Sequence, residues 1–558
     1  MKRIPSPYPG KARGAALLHA LAALAVIAII IATACAAGLD IIGIYLATSY
    51  RTYPLIIAAL ALAAALPNIV LAVRCAEGRV PPPWKGIASL AGALLFCAAA
   101  AHPLMTQFLR SRPAAPTAPG GLLTRAGPLL TFGPFHDRRA RASEGIIISY
   151  FDPFPSGEAA KIRFGTGPDP SRMTDLPEIP GDGRRREFHL VGLAPSRRYY
   201  YRVPALDDSI RTFVTPPAED PDVSLRFLCV ADTGNTRRGG ASRSYYGEVM
   251  RAASDWYARM HTRPSFMIHA GDIVRTGDDL EAWEVHFASF DGGGIPVVTA
   301  PGNHDYLGDR GGNYRYIFPH PDYYSLDIGD LRVISLHPYD GPGRTLDGPV
   351  LTTGKEQYRW VKRELGRKDR KRWTVVIIHN PILSTGDYGS NELLGTQYLA
   401  LFRRSGVDLV ISGHDHNFDA FHVDPGAEDG GTIFLVVGTG GSHLDSYIMD
   451  RPRRRWRGWR NDPAGDAYAP ADPLFDCAHL YGELSWGFTD VALHDDTLTV
   501  TYCRWLDYDR FLSITGQEHH SWDMVPLDDP GIPLRAEGVK TIIKKKGAGP
   551  GGPGKRPR

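Results

Sequence analysis

The sequence predicts an α/β domain carried behind a small β-sandwich and three transmembrane helices. Three observations predict it. The first hundred or so residues are dense in Ala, Leu and Ile; residues 122–217 break into short β-like runs separated by turn residues; and from Leu225 apolar strand-like runs alternate with longer helix-like stretches, as in a layered α/β sheet. At 558 residues the chain is also too long for one ordinary domain.

The membrane anchor is assigned to residues 1–110. Residues 15–38 are apolar apart from His19. At about 1.5 Å per residue they would span about 36 Å, enough for a bilayer core of about 30 Å. Residues 54–73 form a second run, with Pro67 and Asn68 inside it, and residues 86–108 a third. A cleaved signal peptide is the alternative for the first run, and its Lys/Arg start fits; its length and the two runs that follow do not. Lys2, Arg3, Lys11 and Arg13 precede the first span, and Arg74, Arg79 and Lys85 lie between the second and third, whereas the loop after the first offers only Arg51. The positive flanks place the N-terminus in the cytoplasm, and three spans then put everything after residue 109 outside: a multi-pass protein of the cell (inner) membrane with an extracytoplasmic bulk. Residues 111–121, SRPAAPTAPGG, read as a semi-extended linker.

Residues 122–217 hold the runs EGIIISYF, AKIRFGTG, REFHLVGL, RYYYRVPA and IRTFVTPP, with no helical period of any length, so a small β-sandwich is expected. His189 to Val203, followed by Thr215-Pro216-Pro217, looks like the last strands of a fibronectin-III-like module, which by itself says nothing of catalysis. The net charge of +3 gives no reason to expect a nucleic-acid partner. Basic residues cluster at 451–460 (RPRRRWRGWR), either a solvated loop or a surface for anionic headgroups or polyphosphate, and in the segment 536–558, which reads as a disordered tail. Of six cysteines, Cys35, Cys75 and Cys97 lie in apolar runs and Cys229 in a strand-like run, leaving Cys477 and Cys503 as the only plausible disulfide pair.

Chemistry concentrates in residues 223–535. Five apolar runs each end in a polar cluster: LRFLCV before Ala-Asp232-Thr-Gly234, SFMI before His269-Ala-Gly-Asp272, PVVTAP before Gly302-Asn303-His304-Asp305, WTVVII before His379-Asn380-Pro381, and VDLVIS before Gly413-His414-Asp-His416. Each alone is weak, since an Asp after a strand is usually a turn or helix cap and a His there a satisfied core residue. Together they are not, because ligands bind outside the carboxyl ends of strands in α/β sheets. Carboxylates, imidazoles and one amide oxygen gathered there make a site suited to Fe, Mn or Zn.

On these residues the chain resembles the calcineurin-like metallophosphoesterase family, within it the purple-acid-phosphatase branch, over about residues 223–505. Gly438-Thr-Gly-Gly441 and Gly487-Phe-Thr-Asp490 also look like late family elements. The resemblance implies a four-layer αββα sandwich and an enzyme hydrolysing phosphate esters with a hydroxide held between two metals, which the apolar runs of residues 1–110 would anchor to the membrane. It implies that Asp272 bridges the metals, that Asn303, His379 and His414 complete one shell, and that Asp232 and His416 hold the other. His304 would sit over the site, steadying the phosphate or protonating the leaving group, with Asp305 orienting its imidazole.

The pattern breaks on the first metal's side. Family members supply either a His where this chain has Gly234, or a Tyr where it has Arg275. Three readings stay open: water or a neighbour such as Asn235 fills the shell; Arg275 binds the phosphate; or the first site is weak and the protein a binding or sensor protein at the membrane. The Tyr-to-Fe(III) colour is expected to be absent in any case. In the loop after His379 related bacterial sequences carry a His where this chain has Ser384 to Ser390, with Tyr388 as a possible substrate contact or an ordinary loop residue. Oligomeric state and substrate are not legible.

Overall fold

The structure is a computed structural model that describes residues 126–546 except 154–158, 182–183, 220–223, 235–243, 290–293, 319, 339–355, 446–459, 462–467, 470–476 and 516–534. The three predicted membrane spans, the linker and Asn235 lie outside the described residues. Among the described residues no helix is long and apolar enough to cross a membrane.

The first eight strands are β1 (Ala126–Phe132), β2 (Arg139–Arg141), β3 (Gly145–Phe151), β4 (Lys161–Gly165), β5 (Thr174–Pro177), β6 (Arg185–Val191), β7 (Arg198–Arg202) and β8 (Arg211–Val214). Seven of them make two antiparallel sheets, ordered β1-β3-β6 and β5-β4-β7-β8. Period-two alternation drives them together: β6 buries Arg186, Phe188 and Leu190 in turn, and Phe188 and Leu190 share a core with Ile162, Tyr201 and Phe213 of the other sheet. The hydroxyl of Tyr199 accepts the amide of Ala194 at 2.8 Å, tying β7 to the turn before it. The remaining strand leaves the module. β2 runs parallel to a strand of the next domain, pairing Arg139 with Ser325 and Arg141 with Asp327, and Arg139 reaches the buried Glu364 at 2.8 Å.

The next strands are β9 (Leu225–Val230), β10 (Phe266–His269), β11 (Val297–Thr299), β12 (Tyr324–Ile328), β13 (Leu331–Ser335), β14 (Trp373–Ile377), β15 (Leu409–Ser412), β16 (Phe418–Val423) and β17 (Thr432–Val437). A short ribbon, β18 (Arg460–Asn461) with β19 (Tyr468–Ala469), precedes β20 (Cys477–Glu483), β21 (Ser485–His494), β22 (Thr497–Asp507) and β23 (Glu537–Lys545). They form a six-stranded sheet, β11-β10-β9-β21-β22-β23, and an eight-stranded one, β2-β12-β13-β14-β15-β17-β16-β20. The central strands β9, β10, β14, β15 and β17 are apolar on both faces because both faces are covered. Phe227 and Cys229 of β9 share the core between the sheets with Val375, Ile377, Leu409 and Ile411, while Leu228 and Val230 face the helix Tyr246–Arg259 through Val249 and Ala252. On the far side Val376 and Val410 meet Trp360 and Val361 of the helix Glu356–Leu365. The result is helix, sheet, sheet, helix.

One expectation is corrected here, and one question that the sequence leaves open is answered. Residues 537–545 are not a disordered tail but the edge strand β23, paired antiparallel with β22. Gly538 and the lysines of this stretch mask an alternation in which Ile542 and Lys544 turn inward, and the Lys544 ammonium is neutralised by Asp408 at 2.8 Å. Cys477 and Cys503 are both free thiols, as each is buried in a different apolar cluster.

Candidate metal centre

The site lies where both sheets end. β9, β10 and β11 run parallel to one another, as do β13, β14, β15 and β17, so the polar clusters that follow β9, β10, β11, β14 and β15 project from carboxyl ends. Asp232, Asp272 and His414 each hold a positive φ, at 54°, 54° and 73°. Non-glycine residues seldom adopt that backbone, and three of them at adjoining strand ends mark a place where the fold aims side chains at a cost of order 1–3 kcal/mol each.

The side chains converge. Asp232, Asp272 and His379 bring ligand atoms within 4.8 Å of one another, all buried. Nε2 of His379 stands 3.4 Å from Asp272 Oδ1 and 3.2 Å from Asn303 Oδ1, and Nδ1 of His414 stands 3.1 Å from the same Asn303 oxygen. The other ring nitrogen of His379 donates to the Ala270 carbonyl at 2.8 Å, which leaves the Nε2 lone pair turned toward the oxygens. Across the site, His416 Nε2 is 3.4 Å from Asp232 Oδ1, a buried oxygen with no hydrogen-bond donor in place. Atoms that each stand about 2.1 Å from one ion lie about 3.0–3.4 Å apart, so these spacings and that unsatisfied oxygen fit cations of the Fe, Mn or Zn kind.

Sequence reasoning named Asp232, Asp272, Asn303, His304, His379, His414 and His416, and the structure brings them to one place. His304 lies at the rim, its amide donating to Asp272 Oδ1 at 2.9 Å and its Nε2 4.0 Å from Asp272 Oδ2. Arg275 lines the same cleft beside Gly234, His416 and Ser442. Asp305 differs from expectation. The imidazole of His304 is oriented through Nδ1 by the Arg275 carbonyl at 2.7 Å, while the fully buried Asp305 carboxylate accepts the amides of Asp272, Ile273, Val274 and Gly302 at 3.0, 2.8, 3.2 and 2.9 Å. Four backbone donors need one acceptor in the loop interior, so Asp305 braces Asp272 rather than His304. Ser442 and His443 were missed. The Gly-Thr-Gly-Gly element ends at Gly441, one residue before Ser442. Tyr388 is half exposed and stacks on His414 with ring centroids 4.4 Å apart, held by its amide to Asp415 Oδ1 at 2.8 Å.

Close approach is enforced at Gly302, where a Cβ would stand 2.0 Å from Asp272 Oδ1 and 2.2 Å from its amide nitrogen. Gly302→Ala is expected to cost roughly 1–3 kcal/mol of stability through this overlap and to lower metal content, read by thermal unfolding and elemental analysis.

Charge follows the same geometry. Burial pushes the Asp272 carboxyl up, but His379, His304 and His414 together outweigh it and hold it well below the usual range. Burial opposes a proton on His379, yet the Asp272 charge prevails and raises it to about 10. His416 is opposed by burial too and is raised by the Asp232 carboxylate to about 9. Burial, with the positive His379 beside it, pushes His414 down to about 3. Both raised histidines give metal-stripped protein a stability that is full below about pH 6.5 and lost as pH climbs through about 9 and 10. A cation must displace those same protons. The unfolding temperature of stripped protein is therefore expected to fall between about pH 6.5 and 10, and the increment on adding Zn or Mn to grow over that window, as calorimetry at several pH values would show.

Comparison with known proteins agrees with this geometry. Residues 225–418 match the family Calcineurin-like phosphoesterase. Purple acid phosphatase 21 of Arabidopsis thaliana is 26% identical over 290 residues, covering 47% of this chain and 59% of that protein. An uncharacterized protein of Mycobacterium tuberculosis is 31% identical over 328 residues, covering 49% of this chain and 61% of its own. The chain thus spans about three fifths of the length of these curated relatives. Among solved structures, the purple acid phosphatase of yellow lupin (Lupinus luteus) seeds superposes with a TM-score of 0.51 at 17% identity, covering 68% of this chain and 72% of that one, a likeness of fold.

Proposed function

We propose that this chain is a membrane-anchored, metal-dependent phosphoesterase with acid-phosphatase-like chemistry, opening on the extracytoplasmic side. The observation that carries the reading is the convergence of two sets of buried donors on Asp272: Asn303, His379 and His414 on one side, Asp232 and His416 on the other. Two Fe, Mn or Zn ions held there would supply the charge that acidifies water and neutralises phosphate oxygens. The chain's own residues do the rest. With Nδ1 tied to the Arg275 carbonyl, His304 keeps Nε2 on the Asp272 side of the cleft, where it steadies the phosphate or gives a proton to the leaving oxygen. Arg275, always protonated, adds a planar donor set that matches phosphate oxygens. Asp305 keeps the loop amides from rearranging around Asp272. The fibronectin-III-like module is a support, joined to the eight-stranded sheet through β2.

The test is metal analysis with a substrate panel: the full chain, stripped and reloaded with Mn, Fe or Zn, is offered aryl, alkyl and diester phosphates. About two metals per chain with hydrolysis is the expected result. A second reading, a binding or sensor protein that kept the fold and lost turnover, is favoured by Gly234 and Arg275 standing where relatives have a ligand. One metal or none, without hydrolysis, would select it. The anchor rests on the apolar runs 15–38, 54–73 and 86–108 and on their Lys/Arg flanks. Alkaline carbonate is expected to leave the chain in the membrane pellet, and protease added to spheroplasts to remove the part after residue 109; a chain released by carbonate or wholly protected would overturn the anchor or its orientation.

A further inference from the structure

Asp232, His416 and the shared Asp272 give the first metal's side one protein group fewer than the other side has. Gly234 has no side chain to add, and a guanidinium such as that of Arg275 carries no lone pair for a metal. The space beside Gly234 is nevertheless filled. A Cβ built on Gly234, where φ is +55°, would come 2.7 Å from Ser442 Oγ and 3.0 Å from Ser442 Cβ. Ser442 arrives from the loop after β17, is 9% exposed, and lines the cleft with Asp232 and His416. It is pinned on both sides: its amide donates to the Asp232 carbonyl at 2.9 Å, and its carbonyl accepts Trp486 Nε1 at 2.6 Å. Its hydroxyl lies 3.3 Å from Nδ1 of His443, whose ring stands edge-on to that of His416 with centroids 4.3 Å apart. A hydroxyl has one proton and two lone pairs; with the proton given to His443 Nδ1, both lone pairs remain for a cation.

We propose that Ser442 Oγ, oriented by His443, is the missing oxygen ligand on the first metal's side, entering from across the cleft the space that a side chain at position 234 would occupy. The inference rests on the two-metal reading above. It makes Gly234 a requirement of Ser442 rather than a defect, and a hard oxygen in that place favours Fe(III) or Mn(II) over softer ions.

The test uses the full chain as wild type, Ser442→Ala and Ser442→Cys, each stripped and titrated with Co(II) and Cd(II), with thermal unfolding to verify the fold. Wild type is expected to bind about two ions, and Ser442→Ala to hold one as tightly while its other weakens on the order of 10–100-fold. Ser442→Cys keeps the size of the side chain and offers a thiolate. It is expected to develop a thiolate-to-metal charge-transfer absorption on metal addition that Ser442→Ala lacks. Unchanged affinity in Ser442→Ala, or no such band in Ser442→Cys, overturns the ligand assignment while a two-ion wild type leaves the two-metal reading standing. A wild type that binds fewer than two ions overturns both.

Discussion

Asp272→Ala is expected to bring metal-dependent hydrolysis of an aryl phosphate below detection and to cut bound metal from about two ions per chain to at most one. The Asp272 carboxylate lies within reach of both halves of the centre: its ligand atom stands within 4.8 Å of those of His379 on one side and Asp232 on the other, and His379 Nε2 lies 3.4 Å from its Oδ1. Removing it deletes a ligand from each side and, in metal-free protein, takes away the negative charge that offsets buried, protonated His379. Asp272→Asn separates the two losses. It keeps the shape and an acceptor for the His304 amide but not the charge, so the stripped variant should still fold, with a neutral His379 and without the stability that the Asp272 charge gives a protonated one, and should fail to hold two ions. Elemental analysis beside the activity assay reads both, and full turnover in either variant would sink the assignment of this centre.

His304→Ala should behave differently: kcat falls roughly 10²–10³-fold while metal content stays at wild-type level. The structure places the imidazole at the rim with Nε2 4.0 Å from Asp272 Oδ2, farther from that carboxylate than His379 Nε2 is. Its orientation comes from a main-chain carbonyl, that of Arg275, which the substitution leaves in place. The loss should also depend on the leaving group. An aryl phosphate, whose departing oxygen needs little help from a proton, should lose less than an alkyl phosphate if His304 gives a proton. A loss equal for both would assign His304 to phosphate binding alone, and a loss of metal would make it a ligand.

Much of this was legible because strands and their ends carry strong local signals. Five apolar runs of residues 225–412 became β9, β10, β11, β14 and β15, and the polar residues after each came to one cleft. Five runs of the first module became β3, β4, β6, β7 and β8. β1 was not foreseen, because Pro128 interrupts it, and β5 was hidden by its polar sequence TDLP. β23 was hidden by lysines whose aliphatic stems and buried partner Asp408 let a basic stretch complete a sheet. The role of Asp305 was misjudged because a sequence pairs a carboxylate with the adjacent imidazole, whereas four unsatisfied amides in the folded loop compete for it and win. Ser442 had no signal of its own. Only the folded chain places it against Gly234, more than two hundred positions away.

The short strand Arg139–Arg141 has a consequence for how this protein can be divided. It belongs to the first module by position and to the eight-stranded sheet by hydrogen bonding, and it occupies the edge next to β12. A fragment beginning at Leu225 would leave the β12 amides and carbonyls open to pairing with another chain, and would strip the buried Glu364 of Arg139, one of its partners beside Ser325 and Arg367. The first module is therefore a clasp, and the chain should behave as one cooperative body from Ala126 through β23. Engineering that trades catalytic domains between relatives must carry the clasp along.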